Sequence, residues 1–158
     1  MADDTPALKA LQGTDLSYEV VRTERATSAE ESARFQGIGL HQLLRTIVLR
    51  RGEDDYLFVL VPGGRAIEWP KLRSHLGVSR LSLPDKDEAK NVTGYERGAI
   101  TPFGATKAWP VIADASIDGN EVVAIGGGGH GVNLHIKASD LIEHLEAEVA
   151  DVTKPAEA

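Results

Sequence analysis

The sequence predicts a single α/β domain in which short helices flank a mixed, largely antiparallel sheet. Three observations carry that expectation. About six short apolar or alternating runs read as strands, and they are interleaved with a smaller number of short amphipathic helices. The interleaving lacks the regular β-α-β-α order that a parallel, doubly wound sheet requires. The 158 residues suffice for one substantial core and are too few for two comfortable ones. Residues 1–150 are expected to form the domain and 151–158 a frayed C-terminal tail.

Each element has a local cause. Thr5-Pro6 followed by Ala7, Leu8 and Leu11 predicts a short helix capped by Thr5, with Pro6 at its first position and Gly13 as its stop. Leu16 to Thr23 alternates loosely and predicts a strand. Ser28 and Glu31 form a capping box for a helix that runs to Gln36 and ends at Gly37. Gly39 to Leu44 allows one turn. Arg45 to Arg50 and Tyr56 to Val61 predict an antiparallel hairpin. The second of these is apolar on both faces, which places it in the middle of the sheet. A helix follows Ile67, with Leu72 and Leu76 four apart and Gly77 as its stop. Arg80 to Leu83 reads as a short strand, and Pro84 opens a helix whose first turn holds Asp85, Asp87 and Glu88. Trp109 to Asp114 is an extended run, and Asp118-Gly119-Asn120 a turn. Glu121 to Ile125 and Val132 to Ile136 are strands, joined through Gly126 to Gly129 by what reads as a flexible hairpin. Ser139 then caps a final helix with Leu141, Ile142, Leu145 and Val149 on one face.

Between these elements lies Gly94-Tyr95-Glu96-Arg97-Gly98-Ala99-Ile100-Thr101-Pro102-Phe103-Gly104. Three glycines and a proline in eleven residues make it a shaped loop, and Ile100 and Phe103 fold it back onto the body. Backbone N–H groups held in such a loop can bind an oxyanion or phosphate without a charged side chain. As a bare pattern it is equally a well-packed connection.

Composition narrows the functional classes. The chain has no cysteine, which removes disulfides, cysteine zinc sites and thiol nucleophiles. Met1 to Thr14 carries two aspartates and no long apolar run, so no signal peptide is expected there. No run of about 18 apolar residues predicts a membrane span. A formal net charge of −7 argues against bulk electrostatic coating of nucleic acid, though not against contact with one nucleic-acid end. The neighbours Arg45, Arg50 and Arg51, and likewise Arg65, Lys71 and Arg73, read as solvated basic faces.

The glycine run after a strand invites a phosphate-loop reading, but the following residues alternate as a strand and no Lys-Ser/Thr pair is present. That reading is rejected. The five histidines show no metal-ligand spacing. His130, set among glycines, is accessible for chemistry or for a plain surface role. Arg45 starts a strand and points either to solvent or into a cleft, where it would hold a carboxylate or phosphate. No Ser-His-Asp arrangement or paired-carboxylate motif stands out.

Gly94-Tyr95, then Gly98 to Gly104, then Pro110-Val111-Ile112-Ala113-Asp114 together resemble the signature of the YbaK/EbsC family. Its members are free-standing relatives of the editing domain inserted in bacterial prolyl-tRNA synthetases. The resemblance continues over Leu44 to Val48, Leu60 to Gly63 and the glycine hairpin into Leu134, so it covers residues 5–150 or nearly so. It implies a barrel-like mixed sheet of the YbaK/prolyl-tRNA synthetase associated type. It also implies trans-editing, that is, hydrolysis of a wrongly attached small amino acid from tRNA, most naturally proline tRNA. The acceptor end of mischarged tRNA is the implied substrate, an aminoacyl-tRNA synthetase an expected partner, and the cytoplasm the expected setting.

In such a mechanism a positioned water, backbone donors and a tRNA hydroxyl do the work, and no metal or other cofactor is implied. Carried over residue by residue, the resemblance places Arg45, Gly98, Pro102 and His130 at the reacting ester. It places Thr46, Ala99, Ile100, Thr101, Phe103, Gly126, Gly127 and Asn133 around the aminoacyl-adenosine. Three positions depart from the family's best-known deacylases: Arg45 stands for lysine, Gly126 for a serine and Asn133 for an aspartate found in some members. Those departures keep open a non-catalytic module that binds aminoacyl-tRNA or a nucleotide-like ligand. A hydrolase of small esters is the remaining alternative.

Overall fold

The computed structural model describes residues 5–156; Met1–Asp4, part of the N-terminal stretch considered above, and the last two residues of the tail lie outside them. In chain order the elements are α1 (Pro6–Leu11), β1 (Glu19–Arg22), α2 (Ala29–Gln36), a 3₁₀ turn (Leu40–Gln42), β2 (Leu44–Gly52), β3 (Asp55–Pro62), β4 (Arg65–Ile67) and α3 (Trp69–Leu76). Then follow α4 (Lys86–Thr93), β5 (Val111–Asp114), β6 (Val122–Gly129), β7 (Val132–Lys137), α5 (Ala138–Leu145), β8 (Glu148–Ala150) and β9 (Thr153–Pro155).

The strands form three sheets: antiparallel β1-β7-β6, mixed β2-β3-β5-β8, and the small pair β4-β9. β2 and β3 pair antiparallel from Leu44↔Pro62 to Gly52↔Asp55, whereas β5 runs parallel to both β3 and β8. The two larger sheets face each other across one core and are stitched at a corner by a parallel bridge, Leu43↔Ala124. This is the barrel-like mixed α/β arrangement that the resemblance implied.

β3 organises the packing. Its side chains alternate between opposite faces. Phe58 and Leu60 enter the core shared with Ile125, Leu134 and Ile136 of the other sheet, while Leu57, Val59 and Val61 enter a second core under α3 with Leu72 and Ile112. A strand buried on both faces must be apolar at every position, which is why Tyr56 to Val61 has no polar alternate.

The helix caps follow the predicted chemistry, with corrections. Thr5 caps α1 by accepting from Leu8 N–H. Ser28 caps α2 by accepting from Glu31 N–H at 3.1 Å, but the returning Glu31 carboxylate bonds Thr27 N–H rather than Ser28 N–H. Asp85 is the N-cap of α4 rather than part of its first turn, accepting from Glu88 N–H, so Pro84 lies one residue before the cap. Ser139 lies inside the first turn of α5, whose cap position is Lys137, and Val149 leaves that helix to join β8. Arg80 to Leu83 makes one bridge, Ser82 with Arg50, rather than a strand.

Two corrections concern pairing between distant segments. The glycines Gly126 to Gly129 do not form a flexible hairpin: all four lie within β6, with a bulge between Gly126 and Gly129, and the turn is left to His130 and Gly131. Residues 151–156 are not a frayed tail. Val152 is fully buried in the second core, its N–H donates to Asp114 Oδ1, and Thr153–Pro155 pair with β4. Polar, proline-bearing sequence looks like a tail until a partner edge is found for it.

Candidate active site

A cleft opens where two strands part. Leu43, directly before β2, bridges Ala124 of β6, and beyond it β2 and β6 enclose a space rather than pairing. In the fork lies a cavity of about 600 Å³. One wall is β2 from Leu44 to Val48, the opposite wall holds Gly126 and Asn133, α2 contributes Ala29 and Ser32, and the loop residues Arg97, Gly98 and Ile100 close it.

β2 is an outer strand of its sheet, so one of its backbone edges is free of β3. Arg50 turns both N–H and C=O to that edge, where they bond Ser82 at 2.9 and 3.1 Å. Antiparallel pairing alternates, so Thr46 and Val48 turn their peptide groups the same way, into the cleft. The Thr46 hydroxyl is buried without a hydrogen-bond partner, and the only other such side-chain atom among the described residues is the Thr101 hydroxyl. Both belong to segments that shape this cleft, and orphaned buried polar atoms concentrate where a ligand or water completes them.

The loop is pinned from beneath. Tyr95 is buried, its hydroxyl donates to Phe103 O at 2.5 Å, and its N–H donates to the Thr93 hydroxyl. Burial pushes the Tyr95 phenol up to about 12, so it remains a donor throughout the working pH range. Trp109 Nε1 and Thr106 Oγ1 both donate to Val92 O, fastening the loop's exit to α4. Gly98 has φ +90°, a left-handed conformation that only glycine adopts readily, and a Cβ there would lie 3.3 Å from His130 Cε1. Gly126 faces the loop differently: a Cβ on it would meet only Ile100 O, at 3.8 Å.

Of the residues singled out from sequence, Arg45, Thr46, Gly98, Ile100, Gly126 and Asn133 line this one cavity. Others do not. Ala99, Thr101 and Phe103 are buried beneath the loop, Phe103 in the main core beside His144. Gly127 is packed against Val132, and its carbonyl accepts from Thr5 Oγ1. Pro102 is outside the lining, and His130 stands exposed at the β6–β7 turn, against Gly98 rather than in the cleft.

Alternation puts the Arg45 side chain on the sheet face opposite Thr46, and its guanidinium donates to Arg65 O at 2.9 Å, so the cation sits at the margin of the cleft. Asn133 Nδ2 donates to Val21 O, and its side-chain carbonyl oxygen has no hydrogen-bond partner among the described residues. Arg97, Ser32 and Pro84 were not anticipated as lining residues. A signal for Arg97 existed, because a cation directly before a positive-φ glycine is presented on a tight turn. Ser32 reads from sequence as an ordinary helix-surface residue, and only tertiary packing brings it here. The α2 wall is itself held by Gln36, which donates to Ser32 Oγ and accepts from His135 Nε2 at 2.9 Å. Burial lowers the His135 pKa, keeping that imidazole neutral near pH 7.

Arg45 and Arg97 are the only charged residues of the lining, and no carboxylate is among them. In a chain of net charge −7 this makes the cleft a local basic site. Among the described residues no group of three His, Asp or Glu side chains is placed to hold a metal ion. Among the described residues no helix is long and apolar enough to cross a membrane.

The aminoacyl-tRNA editing domain family matches residues 23–144, which contain every wall of the cleft. The chain belongs to this family. Its relatives include the EbsC protein of Enterococcus faecalis, whose name proposes a Cys-tRNA(Pro)/Cys-tRNA(Cys) deacylase; it is 21% identical over 136 residues, covering 86% of this chain and 83% of that one. The proline–tRNA ligase of Thermosipho melanesiensis is 26% identical over 128 residues, covering 79% of this chain but 22% of the ligase. This editing domain thus spans about a fifth of the ligases that it matches. A crystal structure described as a candidate trans-editing enzyme for prolyl tRNA synthetase superposes with TM-score 0.83 at 25% identity, covering 94% of this chain and 92% of that one. The crystal structure of hypothetical protein APE2540 gives TM-score 0.85 at 19% identity and covers 94% and 99% of the two chains. By family, the domain is an aminoacyl-tRNA editing domain.

Proposed function

We propose that the cleft receives the 3′ end of a mischarged tRNA, most naturally proline tRNA, and hydrolyses the ester of a small, wrongly attached amino acid. The observation that carries this is the convergence of the Gly98–Ile100 loop, Gly126 and the free peptide edge of β2 on one basic cavity. The names of two relatives point to the same chemistry, both in connection with proline tRNA or its synthetase.

An aminoacyl ester is already activated, so the demand on the protein is modest. Holding water and ester in register contributes up to about 7–11 kcal/mol, and one well-aimed donor to the developing oxyanion about 3–4 kcal/mol. The loop and the β2 edge supply fixed backbone donors, Thr46 supplies an uncommitted hydroxyl, and the tRNA hydroxyl completes the proton path. Arg45 and Arg97 supply positive charge where the terminal phosphates would lie.

The test is a panel of tRNAs carrying noncognate amino acids, scored by release of amino acid. Release above background from proline tRNA charged with a small amino acid is expected. Binding of a non-hydrolysable aminoacyl-adenosine without any release would leave a binding module instead. Few phosphates are engaged at the cleft itself, so the cleft alone is expected to contribute only a small part of the salt dependence of tRNA affinity.

Gly126→Ser tests the size limit of the pocket. A Cβ there has room, so the melting temperature should stay within about 2 °C of the parent, an effect below about 0.5 kcal/mol. The hydroxymethyl group narrows the cavity, so release of the larger amino acids in the panel should fall several-fold more than release of the smallest. Equal effects on all sizes would mean that Gly126 does not face the amino acid.

A further inference from the structure

Beyond the cleft, a second concave surface of about 500 Å³ gathers Arg50, Arg51, Arg73 and Arg80, and no carboxylate lines it. Four guanidiniums in one groove repel one another, which favours binding of an anionic partner there. Two of them are partly compensated. Arg51 forms a two-bond pair with Asp55 at 3.0 and 3.1 Å, and Arg50 lies 3.8 Å from Glu88 while donating to Gly52 O. Arg73 and Arg80 have no ion pair among the described residues.

The groove adjoins the cleft along two segments at once. On β2, Val48 lines the cleft and Arg50 the groove, two residues or about 7 Å apart. On the facing segment, Leu83 lines the cleft and Ser82 the groove. The Arg50–Ser82 backbone pair is the seam between them. A polyanion leaving the cleft across this seam therefore meets the arginines next.

We propose that this groove holds the sugar–phosphate backbone of the RNA whose 3′ end occupies the cleft, with Arg73 and Arg80 as the uncommitted phosphate ligands. The inference rests on the editing function proposed above and adds the path of the RNA over the surface. Guanidinium forks match phosphate oxygens two bonds at a time, and continuity with the cleft selects a chain that carries its reacting group at one end over an isolated anion or an acidic peptide.

The experiment uses the full chain and an RNA hairpin ending in single-stranded CCA, with affinity followed by fluorescence anisotropy across a salt series. In Arg73→Ala/Arg80→Ala the affinity should fall about tenfold or more, and the log–log salt slope should flatten by about one for each arginine removed. KM for mischarged tRNA should rise in parallel while kcat holds. Arg80→Glu alone, on the exposed segment, should weaken binding further than Arg80→Ala with the same melting temperature. Unchanged affinity and slope in the double variant would overturn the groove even if editing stands. Conversely, a parent protein that deacylates no tRNA but loses RNA affinity in the double variant would keep the groove and remove the editing function.

Discussion

Gly98→Ala is expected to slow hydrolysis of mischarged tRNA about a hundredfold while the protein stays folded. At φ +90° an alanine is strained by about 1–2 kcal/mol, and its Cβ would lie only 3.3 Å from His130 Cε1. The exposed His130 ring can yield, but the left-handed backbone of residue 98 cannot persist unchanged. The loop then shifts, and with it Ile100 and the peptide groups that close the cleft opposite Gly126. A displacement of about 1 Å in a reacting arrangement costs about two orders of magnitude in rate. Buried Tyr95 and its bond to Phe103 O anchor the rest of the loop, so stability should fall by no more than the local strain. Single-turnover deacylation measured beside a thermal melt checks this. A rate within about threefold of the parent would remove the loop from the reacting centre.

The largest effect on stability is expected at Asp114, remote from the cleft. This carboxylate is almost fully buried at the end of β5. It accepts from Ser116 N–H at 3.0 Å, from the Ser116 hydroxyl and from Val152 N–H at 3.0 Å, with Arg65 Nε 3.8 Å away. It thereby fastens the C-terminal strand to the sheet. Burial alone would push its pKa up; the Ser116 hydroxyl, the Val152 and Ser116 amides and the Thr153 hydroxyl together outweigh it and hold the pKa below the ordinary carboxylate value.

Asp114→Asn puts an NH₂ among donors and leaves Arg65 without its counter-charge, a loss of about 3 kcal/mol, or roughly 6–12 °C in melting temperature for a chain of this size. The sign of the pH dependence follows from the lowered pKa. The carboxylate's contribution is complete above its unfolded value near about pH 4, and it is lost as pH falls through the folded value. The gap between parent and variant should therefore be constant near neutrality and close in acid. A gap that stays constant down to pH 2 would show that the charge is not what stabilises the strand.

These two residues differ in how far the sequence exposes them. Gly98 sits in a stretch whose glycines and proline mark a shaped loop, and the need for φ > 0 is a local property. Asp114 looks from sequence like the polar end of an apolar strand. Its importance comes from Val152, Ser116 and Arg65, and no local rule predicts that residues 38 positions apart will meet. The glycine run shows the same contrast. Gly126 to Gly129 read locally as flexible because glycine weakens a strand, yet pairing with β7 and close contacts with Tyr95, Thr5 and Val132 build them into β6.

Arg45 is the instructive case at the site. Its position beside Thr46 on a strand of the cleft was legible, as was the meeting of Gly98, Ile100 and Gly126 around one space. The direction of its guanidinium was not, because Arg65 comes from β4, whose pairing with the C-terminal strand has no signature in a stretch of polar residues. Ser32 was likewise legible only as a surface residue until α2 was set against β2.

By itself, the amino-acid order determined the Thr5 and Ser28 caps, the apolar strand β3, the β2–β3 hairpin and the identity of the loop. Each depends on contacts within a few residues or on a side-chain period of two or nearly four. Tertiary structure alone decided where β2 and β6 part, which edge of β2 stays open and where four arginines gather. Those features depend on which distant backbone edges pair and which are left free, and hydrogen bonds between peptide groups are nearly blind to the side chains they carry.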